Sequence, residues 1–307
     1  MNSSHKKTTK GMTLEEFLAL AEDEPTFISN RDDFHIAKGI LYRYYGSDEA
    51  IIIPKGVQYI YEDAFLDNKT IKNVILPAGV KIIGAHAFAH CNNLLNIILP
   101  NGLEVIGDDA FYLCNRLHHI VIPQTVKTIG NGAFWRCNKL AYVSLEEGLV
   151  SIGTKAFRKC DELHEIVIPS TVMAIGEKAF YGCKSLVNVK LNCLIEELGD
   201  GTFEKCAITQ IVLPQTIRKI GRRAFYDCRA LEQVGLPRDL EEIEDDAFRQ
   251  CVVLESIHIP SKVRSVGSWA FGSCWSLKNV SFYKTRTKFQ SNTFYGCKSL
   301  DSNQFAK

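Results

Sequence analysis

The chain contains no apolar run long enough to cross a bilayer. It also has no surplus of charge: 36 Lys and Arg stand against 35 Asp and Glu in 307 residues, a formal net charge of +1. The first absence argues against a membrane-spanning helix. The second removes the molecule-wide field that would favour nucleic acid or an anionic bilayer, so neither is expected as a partner. The N-terminal stretch MNSSHKKTTKGMTLEEFLALAEDEP lacks the unbroken apolar core of a secretory leader, because Glu15, Glu16 and Glu22 interrupt it. As written, the chain is expected in the cytoplasm; a start further upstream with an apolar leader would place it on the cell surface or outside the cell. Catalytic signatures are missing as well. There is no Gly-x-Ser-x-Gly elbow, zinc-protease helix or dinucleotide fingerprint, and Gly148 to Lys155 misses a phosphate loop because its Lys and Thr are reversed. No Cys-x-x-Cys pair suggests zinc. Neither catalysis, a cofactor nor a metal is expected.

What is present is a repeat. Ala-Phe followed three residues later by Cys returns every 23 residues, with the phenylalanines at Phe65, Phe88, Phe111, Phe134, Phe157, Phe180, Phe203, Phe225, Phe248, Phe271 and Phe294; Asn68 replaces the first cysteine, and Thr202 and Thr293 replace alanine. One step is 22, from Phe203 to Phe225, where Cys206-Ala207-Ile208 shortens the usual Cys-x-x-Leu. A period in this range with one strand-like segment per copy implies a solenoid, each coil stacked on its neighbours. The expected organisation is an N-terminal tail with a short capping helix over 1–30, a β-hairpin cap over 31–49, a solenoid of about eleven coils over 50–300, and a tail over 301–307. Thr13-Leu14-Glu15-Glu16 is a capping box opening a helix from Leu14 to Glu22. Phe34-His35-Ile36 and Ile40 to Tyr45, turned at Lys38-Gly39, read as the hairpin. In the last coil Arg286 and Gln290 replace an apolar residue and glycine, as in a terminal cap.

Within one coil, Leu94, Ile97 and Leu99 should point inward, with Ile97-Ile98-Leu99 a strand in a parallel sheet that Pro100 ends. A second short extended segment carries inward Leu103 and Ile106 to Gly107, a position that calls for positive φ or close approach to the next coil. Ala-Phe-x-x-Cys then turns the corner as a single helical or 3₁₀ turn, stacking the phenylalanines into a spine. Ten of the eleven cysteines occupy one repeat position and read as reduced, buried thiols acting as small hydrophobes and weak hydrogen-bond partners. Cys193 falls outside that column and is expected to be exposed and reactive.

The pattern L-x-x-I-x-[IL]-P-x-x-V-x-x-I-G-x-x-A-F-x-x-C, running from about 50 to 300, resembles the BspA-like leucine-rich repeats of bacterial surface and secreted proteins and some protozoan proteins. The lead-in from Phe34 to Gly46 is similar to that of bacterial members. The resemblance implies a right-handed, mainly β solenoid and a non-catalytic role as an adhesin or interaction module.

Candidate binding residues follow from outward columns. Ile75, Ile98, Val121, Ser144, Val167 and Lys190 line up on successive strands, largely apolar where a one-sided sheet would be polar. The column reads either as a contact strip or as the strand preference of β-branched residues. Beside it His118, His119, Tyr142, His164 and Glu165 form a polar patch; His118 and His164, two coils apart, lie too far apart to share a metal. A second surface, Tyr112, Trp135, Arg158, Tyr181 and Tyr226, follows the phenylalanines and serves either binding or packing between coils. The expected function is a protein-interaction scaffold of unknown partner, with a host- or matrix-binding adhesin, or a glycan receptor, as alternatives.

Overall fold

The computed structural model describes residues 31–283 and 287–301. The expected helix at Leu14–Glu22 with its capping box, Arg286 and nearly all of the C-terminal tail lie outside the described residues. The chain winds as a β-solenoid of about eleven coils. Each coil offers one strand of three or four residues to a front sheet, such as Asn96–Ile98, and a two-residue strand to a rear sheet, such as Val105–Ile106. Pairing between successive coils is parallel and advances one repeat at a time, as in Val105↔Thr128 and Ile106↔Ile129.

The hairpin forms as expected. Phe34–Ala37 pairs antiparallel with Ile40–Tyr44, and Lys38 (φ 49°) and Gly39 (φ 76°) both take the left-handed conformation of a tight hairpin turn. Ile40 and Leu41 then pair in parallel with Tyr59 and Ile60, so the hairpin is coil zero of the rear sheet. Tyr44, 5 % exposed, sits between Phe34 and Phe65 at ring distances of 4.8 and 5.4 Å. It closes the core, and its burial pushes the phenol pKa up to about 12.

The core is a stack of like side chains. Phe88, Phe111, Phe134, Phe157 and Phe180 are fully buried and near-parallel, with centroids 5.1–5.4 Å apart. The cysteine column is reduced and accounts for a specific set of bonds. Cys137 Sγ donates to Phe111 O one coil earlier at 3.1 Å, a carbonyl that also accepts the Cys114 N–H of its own coil. The thiol thus fills the second lone pair of a buried carbonyl, which alanine could not do.

The corner differs from the expected helical turn. In coil 107–114 the Ala110, Tyr112 and Cys114 amides donate three residues back, to Gly107, Asp109 and Phe111. The intervening amides of Asp109, Phe111 and Leu113 donate forward to Asn131, Ala133 and Trp135 of the next coil. Asp109 (φ 50°) and Leu113 (φ 60°) are left-handed, and that alternation converts a helix into consecutive β-turns laced to the neighbour. Of the two roles open to the repeat glycine, close approach is the one found: a Cβ on Gly107 or Gly130 would stand 2.7 or 2.5 Å from the preceding coil's backbone.

Cys193 is a correction. It is 1 % exposed, and burial raises its pKa. Asn192 replaces the strand-ending proline here and lies exposed, whereas Pro100, Pro123 and Pro169 are buried; Cys193 turns in next to it while Leu194 points out.

Candidate functional site

The outward face of the front sheet carries the predicted strip. Alternation along each strand places it: in Glu165–Ile168 the exposure runs outward, inward, outward, inward, with Glu165 and Val167 facing solvent. Parallel register aligns Val121 with Ser144 and Val167 with Lys190, while Tyr142 stands beside His119. Val121, Tyr142 and Val167 are 54, 64 and 48 % exposed, and Val212 further along reaches 74 %. Water therefore meets apolar area held in place by a backbone ladder.

The strip is shorter than the sequence suggests. Ile75 is only 8 % exposed and Ile98 is half-buried; with Ala50 and Ile52 they form a small cluster apart from the main core, so neither is a free docking group. The front sheet is also not continuous. Its ladder is interrupted between Asn96–Ile98 and His119–Ile122, again between Tyr142–Leu145 and Glu165–Ile168, and between Gln233–Gly235 and Ser256–Ile259. At the first interruption a groove of about 370 Å³ opens, lined by Ile98, His119, Val121, Pro123, Gln124 and Glu146. Nothing in the residue types foretells that groove, although it falls within the predicted strip.

His118, His119 and His164 are exposed, as are Ser144, Glu165 and Lys190. The backbone around the histidines is fixed between coils: the Ala141 and Tyr142 amides donate to His118 O, and the Val187 and Asn188 amides to His164 O. Among the described residues no group of three or more His, Cys, Asp or Glu is gathered as a metal would need. Polar contacts run along the same face, from Asn96 Nδ2 to Asn73 Oδ1 at 2.7 Å and between His258 Nδ1 and Ser281 Oγ at 2.8 Å.

The second predicted surface lies at the corner and is half-buried throughout. Tyr112 and Trp135 pack at 5.0 Å; Arg158 lies between Trp135 and Tyr181 at 5.2 and 4.6 Å; Arg223 covers Tyr226 at 4.2 Å. Much of each ring is thus engaged by the adjacent coil, and the column serves packing between coils. Glu204, 2 % exposed, replaces the aromatic between Tyr181 and Tyr226; burial raises its pKa while Arg223 Nη2 holds Oε1 at 2.9 Å.

The fold and its faces define a non-globular repeat scaffold with two distinct outward surfaces. The chain belongs to the BspA type leucine rich repeat region family, whose overlapping matches run from residue 41 to 307. Among solved structures it is similar to a leucine-rich repeat protein from Bacteroides ovatus, with 27 % identity over 84 % of this chain and 79 % of that one and a TM-score of 0.59. It shares its fold with a leucine-rich repeat protein from Eubacterium ventriosum (19 % identity, 82 % and 92 % covered, TM-score 0.53). The same holds for the pneumococcal vaccine antigen PcpA (18 % identity, 92 % and 89 % covered, TM-score 0.53). No curated protein matches the chain.

Proposed function

We propose that the chain is a non-catalytic scaffold that binds a protein through the outward face of its front sheet, centred on Val121, Tyr142 and Val167. The observation that carries this reading is the set of exposed apolar side chains at Val121, Tyr142 and Val167, on two neighbouring short ladders beside the groove at Ile98 and His119. A stacked sheet is already ordered, so binding on it costs little conformational entropy, and the polar neighbours His119, Ser144, Glu165 and Lys190 would set specificity at the rim. Membership of a repeat family whose members commonly act as interaction scaffolds supports it.

The test is co-purification with the intact chain and with Val121→Lys plus Val167→Lys. Both positions are solvent-facing, so the double variant should melt with the parent while losing its partner. Equal recovery at equal stability would remove the strip from the function.

A further inference from the structure

The near-zero net charge conceals a segregation along the corner. Six cations gather on four consecutive coils: Arg136, Lys155, Arg158, Lys159, Lys178 and Lys205. They flank Trp135 and Tyr181 in adjoining columns, with the coils set 5.2–5.5 Å apart by the phenylalanine stack. Outside this belt the corresponding positions carry Asp63, Asp67, Asp109, Asp227 and Asp246 alongside neutral residues such as Leu113 and Gln250 and one further cation, Arg223. Of the acids on the belt's coils, Glu204 is buried against Arg223, Asp200 Oδ1 accepts the Arg222 amide, and Asp161 and Glu162 pair with Lys184 and Lys139, while Glu177 is exposed at the flank. Among the described residues no carboxylate forms an ion pair with Arg136, Lys155, Lys159 or Lys178.

The backbone fixes where these side chains stand. Arg136, Lys155, Lys159, Lys178 and Lys205 all have positive φ, between 55° and 62°. Left-handed positions favour Gly, Asn and Asp, as at Asp63, Asp67, Asp227 and Asp246 and, inside the belt, at Gly132, Gly182 and Gly201. In the middle five long cations occupy the others. The left-handed conformation recurs along the whole corner, at Leu113 and Trp269 as well, so what distinguishes the middle is the charge it displays.

We propose that this central corner binds a linear sulfated polysaccharide laid along the solenoid axis. One sugar ring with its charged substituent is about as long as one coil is thick, so successive anions meet successive coils. The rings of Trp135 and Tyr181 are engaged by Arg158 and so are not free to stack on the bases of a single strand. Here the lysines would supply affinity and the steep salt dependence of a screened contact.

The experiment measures retention of the full chain on immobilised heparin, with desulfated heparin as control and a DNA duplex as competitor. Two triple variants accompany it. K155N/K159N/K178N removes charge with a residue that accepts left-handed backbone, and K155R/K159R/K178R keeps charge. The wild type and the arginine variant should bind sulfated heparin, while the asparagine variant should lose at least about tenfold in affinity without a lower melting temperature. The proposal fails if the wild type does not bind sulfated heparin, or binds the desulfated chain equally. It also fails if the asparagine variant binds as well as the wild type, or if DNA displaces heparin at an equal or lower concentration of charge.

Discussion

Replacing Gly176 with alanine should cost about 2 to 4 kcal/mol, whereas the same change at Gly199, one coil on, should cost less than about 1. The contrast comes from clearance. A Cβ on Gly176 would stand 2.3 Å from Thr154 N and 2.6 Å from Gly153 C, where non-bonded contact needs about 3.5 Å. The coils must therefore part by about 1 Å, which strains the 2.8 Å bond from the Gly176 amide to Ile152 O. Overpacking of this kind costs about 1 to 3 kcal/mol, and a lost backbone bond adds about 1. At Gly199 the nearest atom is Ile175 O at 3.6 Å, ordinary contact, because the rear ladder is broken there: one sheet ends at Ala174–Ile175 and another starts at Glu197–Leu198. Urea denaturation of both variants decides the matter. Equal destabilisation, or a Gly176→Ala protein as stable as the parent, would refute the argument that coil spacing governs these positions.

Other outcomes follow from the core. Phe157→Ala, which empties a slot between rings 5.2 and 5.4 Å away, should lower stability by about 3 to 5 kcal/mol in a denaturation curve. Stability should also fall as pH rises. Burial pushes Cys91 and Cys228 up to about 12, so the folded state keeps thiol protons that an unfolded chain releases above about 8.5; the contribution is whole below that pH and shrinks above it. A pH series of melting temperatures from 7 to 10, compared with that of Cys228→Ala, should show a shallower alkaline decline in the variant. A maleimide applied to native protein should leave Cys193 unmodified and should modify it after denaturation, as mass spectrometry of the labelled peptide would show.

The stack was legible because its inward positions repeat. A phenylalanine every 23 residues, with alanine before it and cysteine after, leaves one arrangement in which every copy is buried identically, and Lys38-Gly39 between alternating segments specifies the hairpin. The corner was misread as helical because its apolar spacing is that of a helical turn, while what breaks the helix is a left-handed Asp109 and Leu113 that spacing does not register. Val121 and Val167 face solvent as alternation requires. Ile75 does not, because Ala50, Ile52 and Ile98 gather around it at the first coils, a local packing event that no column of residue types contains. Cys193 was misplaced by treating it as a departure from the cysteine column, when the relevant column was that of the prolines.

A solenoid divides its positions more sharply than a globular domain. Inward columns answer to stacking alone, so Phe, Ala and Cys recur and say nothing about a partner. Outward columns are free to drift, and there a residue that is merely tolerated carries no message. The informative outward residues are those that depart from what stacking requires: valines exposed to water at Val121, Val167 and Val212, and lysines grouped without a carboxylate partner among the described residues at Lys155, Lys159 and Lys178. A polar β-branched residue would relieve the first set by a single substitution. The two sets lie on different faces of the same coils, so the two proposed ligands, a protein on the sheet and a polyanion along the corner, would not compete for a residue.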